Sequence, residues 1–350
     1  MRKVTKAQIG RDLIARFPHL SKKELGKILY KENPILFKDQ EDARWCIRSV
    51  TGATSRPNRI IQSDKYIGRL PEGEKNDFSP FVLNSKRIGI LSDIHIPYHN
   101  LEALGLALNH LKQSNVDTIV LNGDIIDAYH LSNWEKDPNK RNHQEEIFLF
   151  LDFLDDLIDR FPGVKIVFKL GNHSERYERF IAQKAPEFLG FQLLSWKTIL
   201  NTRFEKCKVC LGTGKILESD CPDCEKGIVQ LSVHRGIALV KGKRIIKAGK
   251  LNIVHGHEFG NSVFDPVNPA RGFFLKSKSN VIGGHFHRTS EHIESDMDGK
   301  VLGAWSTGCL SDLHPDYRPI NKWNLGFAMV DVHEDDFEVH NYKIINGKIR

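Results

Sequence analysis

The sequence predicts an α/β core of layered strands and helices, preceded by a small helical bundle and interrupted by a cysteine-rich insertion. Two observations point to that core. Five short runs, RIGIL, TIVL, KIVFKL, LNIV and NVIG, read as buried strands, because strands covered on both faces lose the alternation of apolar and polar residues. Between the first three runs lie stretches with helical periodicity, Leu101 through Leu111 and Gln144 through Phe161, the second with Ile147, Leu151, Leu154 and Ile158 along one stripe. Strands joined by such crossover helices build α/β layers.

In chain order, residues 1–52 come first and read as a basic, helix-turn-helix-like domain of three short helices. Thr5 precedes a run with Ile9, Leu13, Ile14 and Phe17. Ser21-Lys-Lys-Glu24 forms a capping box before Leu25, Ile28 and Leu29. A third amphipathic stretch runs from Asp39 through Val50, with Trp45, Cys46 and Ile47 expected on its apolar side. Residues 1–70 hold 16 Lys and Arg against 7 Asp and Glu, whereas the whole chain carries +7, so the remainder is close to neutral. Lys22, Lys23, Lys27, Lys31, Arg44 and Arg48 are placed to neutralise phosphates, which makes DNA or RNA the expected partner of residues 1–52. The alternative is the solvated face of a small packing domain or a protein-docking module. Residues 53–85, with Pro57, Pro71, Gly73 and Pro80, read as a linker, and residues 86–350 as the main domain. At the far end, FAMVDV, FEVHNYKII and an Asn346-Gly347 turn predict antiparallel strands closing a sheet.

With 350 residues and 40 % hydrophobic content the chain can bury a large core. No stretch approaches a membrane span, and the basic start lacks the apolar region and cleavage site of a secretory signal, so a cytoplasmic location without a membrane partner is expected. Four of the six cysteines form two CxxC pairs, Cys207-Lys-Val-Cys210 and Cys221-Pro-Asp-Cys224, within an insertion at 204–230. Two such knuckles supply four thiolates to one tetrahedral structural zinc; a disulfide or redox pair is the alternative. The first knuckle, CKVCLGTG, resembles half of the zinc module of DnaJ-type chaperones. Cys46 and Cys309 are left over as small buried hydrophobes.

Each of the five apolar runs leads into a short polar block: Asp93-x-His95, Gly123-Asp124-x-x-Asp127, Gly171-Asn172-His173, His255-Gly256-His257 and Gly284-His285-x-His287. Loops beyond the carboxyl ends of strands converge in α/β sheets, so blocks distant in sequence meet if the five strand ends share one sheet edge. Mixed imidazole and carboxylate donors suit Mn, Fe, Zn or Co rather than the all-oxygen shells of Ca or Mg. Two cations about 3.5–4 Å apart need a carboxylate between them, and Asp124 is the candidate bridge. The chemistry such a pair serves is metal-assisted hydrolysis.

In this order the blocks resemble the pattern of the calcineurin-like metallophosphoesterase superfamily, over roughly residues 87 to 345. The resemblance implies two mixed β-sheets packed face to face and flanked by helices, enclosing two divalent metal ions, with manganese favoured. One ion would be held by Asp93, His95, Asp124 and His287, the other by Asp124, Asn172, His255 and His285, and a water bridging them would be the nucleophile. It implies that His173 binds phosphate and protonates the leaving oxygen, and that Asp127 orients it. Arg176 and His257 are candidate substrate contacts, His257 also as support for the metal shell. Ser174 stands where an acidic residue usually follows the GNH block, and Ala128-Tyr129-His130 replaces the Arg-Gly of serine/threonine protein phosphatases, which disfavours that branch.

Three functions fit these observations: a nuclease or phosphatase acting on nucleic acid, guided by the basic bundle and the ribbon; an enzyme for a small nucleotide-like phosphoester, whose bundle recruits a partner; and a nucleic-acid-binding protein with a purely structural metal centre. The last leaves His173 idle.

Overall fold

A computed structural model of the protein describes residues 5–51, 73, 78–133, 135–137, 139–140, 142–241, 243–260, 267–334 and 336–350. The chain divides into two compact units, Met1–Asp77 and Phe78–Arg350. Most of the linker expected at 53–85, including Pro57 and Pro71, lies outside the described residues.

The first unit contains α1 (Lys6–Arg16), α2 (Lys22–Glu32) and α3 (Gln40–Thr51). Each begins where a side chain can satisfy an otherwise unpaired helix amide. The Thr5 hydroxyl accepts from the Gln8 amide, Ser21 and Glu24 form a reciprocal box, and Asp39 accepts from the Asp42 amide at 2.7 Å. Caps of this kind stabilise a helix by about 1 kcal/mol each. The helices bury Leu13, Leu25, Leu29, Phe37, Ala43, Cys46 and Ile47. Trp45 departs from expectation, being 68 % exposed. The buried stripe of α3 runs through Ala43, Cys46, Ile47 and the flanking Val50, and Trp45 lies one residue, about 100° of helix rotation, off it.

The second unit is built on two mixed sheets. The seven-stranded sheet has the order β17 (Lys348–Ile349), β16 (Phe337–Ile345), β15 (Leu325–Val332), β2 (Arg87–Leu91), β3 (Thr118–Asn122), β4 (Lys165–Lys169) and β9 (Ala238–Val240). The six-stranded sheet has the order β1 (Phe81–Leu83), β10 (Ile246–Ala248), β11 (Leu251–Ile253), β12 (Val281–Gly283), β14 (Val301–Ser306) and β13 (Ser290–Ser295). Strand β1 corrects the expected linker: Phe81–Leu83 pairs with Ile246–Ala248, and Leu83 is buried between the sheets. Three residues are too few to show a period in sequence.

Helices α4 (Leu101–Gln113), α5 (His143–Arg160), α6 (Glu175–Lys184), α7 (Trp196–Leu200) and α8 (Pro269–Ser277) complete the unit. Ile88, Ile90, Val120 and Val167 meet Ile246, Leu251, Ile253 and Ile282 between the sheets. The residues that alternate with them, Leu91, Ile119, Leu121, Ile166 and Phe168, face Leu104, Leu111, Phe150 and Leu154 of α4 and α5. Burial on both faces explains why these strands read as unbroken apolar runs. Each such side chain contributes about 1.5–3 kcal/mol on leaving water. Phe273 and Phe274 of α8 cover the outer face of the six-stranded sheet with Val281 and Ala304.

The five runs that carry the polar blocks do not share one sheet edge. Strands β2, β3 and β4 belong to one sheet, β11 and β12 to the other. Their loops are stitched together across the gap: the Asn122 side-chain amide donates to Val254 O at 2.7 Å, and His255 Nδ1–H donates back to Asn122 O at 2.8 Å.

The cysteine insertion is a ribbon of β5 (Thr202–Lys206) paired with β8 (Ile228–Ser232), carrying the small hairpin β6 (Lys215–Ile216) and β7 (Ser219–Asp220). It is anchored to α5. Arg203 and Arg235 both clasp the Asp155 carboxylate at 2.7–3.0 Å, and Phe204 packs on Phe148.

Candidate metal centre

Beyond β2 the chain turns sharply at Asp93 and His95, beyond β3 at Asp124, and beyond β12 at His285 and His287. All five residues have positive φ, between 51° and 70°. A left-handed backbone costs a non-glycine residue about 1–2 kcal/mol, and such strain persists where surrounding structure enforces it and function uses it. The neighbouring glycines are explained by crowding. A Cβ on Gly171 would collide with the Asp124 carboxylate, and one on Gly123 with the His255 ring.

Two clusters result. In the first, His287 Nε2 lies 3.2 Å and His95 Nε2 4.0 Å from Asp93 Oδ1, and the two Nε2 atoms are 3.2 Å apart. In the second, His255 Nε2 lies 3.0 Å from Asp124 Oδ2 and 3.2 Å from Asn172 Oδ1, with His285 nearby. Within Asp93–His95–His287 and within Asp124–His255–His285, the donor atoms lie within 4.8 Å of one another. All seven sequence-predicted ligands are therefore gathered in these two clusters or, for Asn172, at the edge of the second.

The donor set fits a pair of cations. Asp93 Oδ1 is buried without a hydrogen-bond partner, and imidazole nitrogens converge on it rather than an ammonium or guanidinium. Hydrogen bonds on the far side fix the tautomers. His95 Nδ1–H donates to Asp127 at 2.8 Å and His255 Nδ1–H to Asn122 O, leaving both Nε2 lone pairs facing the pocket. Burial by itself would pull His255 and His287 below the ordinary imidazole value. The carboxylates outweigh it, Asp124 and then Asp93 raising His255 to about 9, and Asp93 raising His287 to about 10. At these two imidazoles the carboxylates favour positive charge, which protons and metal ions compete to supply, whereas burial pulls His95 down and His285 to about 4.

His173 stands beside the second cluster. Its backbone amide donates to Asp124 Oδ1 at 2.9 Å, its Nδ1–H to Asp127 O at 2.7 Å, and Arg176 donates to its Nε2 at 3.0 Å. Asp127 also lies 3.1 Å from His173 Nδ1 through Oδ1, so one carboxylate serves both His95 and His173. Burial opposes ionisation of Asp127, but the hydrogen bonds from the two imidazoles hold it well below the ordinary carboxylate range.

Residues 86–289 match the family model described as calcineurin-like phosphoesterase. The chain belongs to that family. It is a metal-dependent hydrolase of phosphate esters, in a family that binds two divalent metals, and it carries His/Asp clusters that could hold such ions. No curated protein matches the sequence. Similar solved structures include a single mutant of Vps29 from Entamoeba histolytica, 11% identical, covering 75% of this chain and 96% of that one, TM-score 0.34. A dimetal phosphatase from Danio rerio is 13% identical, covering 73% and 95%, TM-score 0.35. Yfce, a phosphoesterase from E. coli, is 12% identical, covering 73% and 98%, TM-score 0.31.

The phosphoesterase holds its His255 loop with a pair that the sequence does not announce. Buried Lys169 lies 2.9 Å from Glu258, whose carboxylate accepts the amides of His255 at 2.9 Å and Gly256 at 2.6 Å. Burial works against the Glu258 charge; Lys169 overcomes it, and the carboxyl falls to about 2. The one available signal was a lysine at the end of an otherwise apolar strand. His257 lies between Glu175 (3.3 Å) and Glu258 (3.6 Å). Among the described residues no helix is long and apolar enough to cross a membrane.

Away from this centre, Cys207, Cys210, Cys221 and Cys224 bring their sulfurs within 4.8 Å of one another, with Sγ–Sγ distances of 3.9 Å (207–221) and 3.5 Å (210–224). Disulfide bonds are about 2.05 Å long, whereas four sulfurs about 2.3 Å from a tetrahedral zinc stand about 3.8 Å apart. Cys210 also accepts the Gly214 amide at 3.2 Å. Cys46 and Cys309 are buried.

Proposed function

We propose that this phosphoesterase cleaves phosphate esters of nucleic acid, as a nuclease or a DNA or RNA phosphatase. The hydrolytic part of the reading is carried by one observation: Asp124 sits in a ligand cluster and, through its other oxygen, receives the amide of His173. Asp93, His95, Asp124 and His287 would hold one divalent ion and Asp124, Asn172, His255 and His285 the other; the mixed donors suit Mn, Fe, Zn or Co, and the family resemblance favours manganese. When bound, the ions supply Lewis acidity that activates water and offsets charge on the phosphoryl oxygens. Zinc fits the four cysteines, where it would fasten the ribbon.

The chain's own residues handle orientation and the proton. Asp127 O and Oδ1 hold the Nδ1–H side of His173, which turns Nε2 towards the pocket. Arriving phosphate competes for the Arg176 guanidinium and frees the Nε2 lone pair, which takes a proton from solvent; the resulting imidazolium returns it to the leaving oxygen. The excess of basic residues in 1–70 supports nucleic acid as substrate and residues 1–52 as its docking module. A small phosphoester, with residues 1–52 recruiting a protein, is the second reading, favoured by the near-neutral charge of the rest of the chain. The test is a substrate panel with manganese supplied: mono-aryl and bis-aryl phosphates, then labelled DNA and RNA, single- and double-stranded. Cleavage or dephosphorylation of the polynucleotides supports the reading; turnover confined to small esters overturns it.

A further inference from the structure

A cavity of about 140 Å³ adjoins the metal pocket, lined by His95 and His287 and by four aromatic residues, Tyr98, Tyr129, Tyr317 and Trp323. Asp127, Asp312 and Asp316 also line it. The Trp323 ring packs directly on His287, with centroids 4.1 Å apart, and Tyr317 meets Trp323 edge-on at 6.3 Å. Lys140 binds the other side together: its Nζ is 4.8 Å from the Tyr129 ring, 5.3 Å from the Tyr98 ring and 3.0 Å from Asp316. Rings held this way lose little freedom when a further ring joins them. The size decides which one. A cavity of about 150 Å³ accepts a single benzene ring, so this one suits a six-membered ring rather than a fused pair or an intact base pair.

A second groove, of about 280 Å³, reaches the candidate ligand Asn172 and is lined by Arg176, Arg179, Phe180 and Lys184. Its charge is not cancelled by the acids of the same helix. Glu175 is directed at His257 (3.3 Å) and Glu178 at Lys241 (3.8 Å). The short turn Tyr129–Leu131 contributes to both spaces, Tyr129 to the aromatic cavity and Leu131 to the cationic groove. A polyanion with planar rings matches this combination, whereas a phosphotyrosine peptide offers a ring without further phosphates.

We propose that the enzyme takes single-stranded nucleic acid, seating the base beside the scissile phosphate, unstacked, among Tyr98, Tyr129, Tyr317 and Trp323. The next phosphate along the strand lies in the groove of Arg176, Arg179 and Lys184. The inference rests on the nucleic-acid reading and narrows it. Aromatic platforms beside a basic groove bind single strands because every base has a face to stack, while a duplex must first be unpaired. The one-ring size favours a pyrimidine.

The test uses the full chain with manganese and four labelled DNA probes: oligothymidylate, the same strand with one abasic site, oligodeoxyadenylate, and the two complementary strands annealed. Linkages next to the abasic site should be cut about 10-fold or more slowly than in the intact strand, the effect of losing one stacked base. Adenylate and duplex should both be cut more slowly than thymidylate. In Trp323→Ala the ratio of intact to abasic cleavage should fall towards one. By fluorescence anisotropy with His173→Ala, adding Arg179→Glu and Lys184→Glu should weaken binding and flatten its salt dependence. Equal cutting of intact, abasic and duplex probes overturns the ring site while leaving the nucleic-acid reading in place. Hydrolysis of aryl phosphates with no cutting of these strands, and no cleavage or dephosphorylation of DNA or RNA in the substrate panel, overturns both.

Discussion

His173 and Asp124 meet through a backbone amide, while His173 Nε2 stands 4.0 Å from the Asp124 carboxylate. The imidazole can therefore be removed without opening the ligand cluster. His173→Ala is expected to retain its metal and lose about 10²- to 10⁴-fold in turnover, whereas Asp124→Ala loses metal occupancy as well. Metal analysis beside aryl-phosphate hydrolysis separates the two, and identical behaviour of both variants would contradict the assigned roles. Asp127 supports two imidazoles at once, so Asp127→Asn should lower metal affinity about 10- to 100-fold through His95 and turnover through His173. Titration with manganese followed by calorimetry checks the first effect, and unchanged affinity would refute it. The seven candidate ligands that the structure gathers were legible because motif residues must be His, Asp or Asn at fixed offsets, beside glycines that leave room for them. Lys169 and Glu258 were not. Their pairing depends on the end of β4 meeting the turn after β11, which belongs to the other sheet, and the lysine at the strand end does not by itself name its partner.

At the scale of elements, legibility followed length and two-sided burial. Strands β2, β3 and β4 and helices α4 and α5 were readable because each buries a continuous stripe or both faces. Helix α6 buries no residue fully and packs Tyr177 against the core, while the strand at Phe81–Leu83 is too brief to carry a period. The ribbon's attachment also escaped notice, although its cysteines did not. Asp155 is opposed by burial, but its hydrogen bonds with Arg235 and Arg203 dominate and depress its pKa. A depressed carboxylate stabilises the fold fully above its unfolded value, near 3.8, and that contribution is lost as pH falls through the folded value. Asp155→Asn is accordingly expected to cost about 2 kcal/mol at neutral pH, with the gap from wild type closing below pH 4. Thermal melting across pH 3–7 measures it, and a gap independent of pH would refute the ion-pair origin. If the four cysteines hold a metal, a chelator should expose the amides of Thr202–Lys206 and Ile228–Ser232 to hydrogen exchange while those of β2 and β3 stay protected.

On the scale of the whole molecule, charge and catalysis are separated along the chain: the basic excess lies within residues 1–70, and the ligand clusters lie in the unit Phe78–Arg350. Lys22, Lys23, Lys27, Lys31 and Arg48 are exposed, while Arg44 pairs with Glu41 at 3.1 Å, which makes Arg44 the weakest phosphate ligand of the six basic positions. Each phosphate neutralised releases counterions, so the slope of log affinity against log salt reports how many contacts are made, at about −0.7 per contact on a single strand. A chain beginning at residue 71 should therefore bind labelled single-stranded DNA more weakly and with a shallower slope. Its hydrolysis of a mono-aryl phosphate should be unchanged, because that substrate is too small to need the bundle. Loss of small-ester turnover on truncation would mean that residues 1–70 support the catalytic unit itself. An unaltered slope with unaltered turnover would mean that the bundle serves a protein partner and that strand binding resides wholly in the catalytic unit.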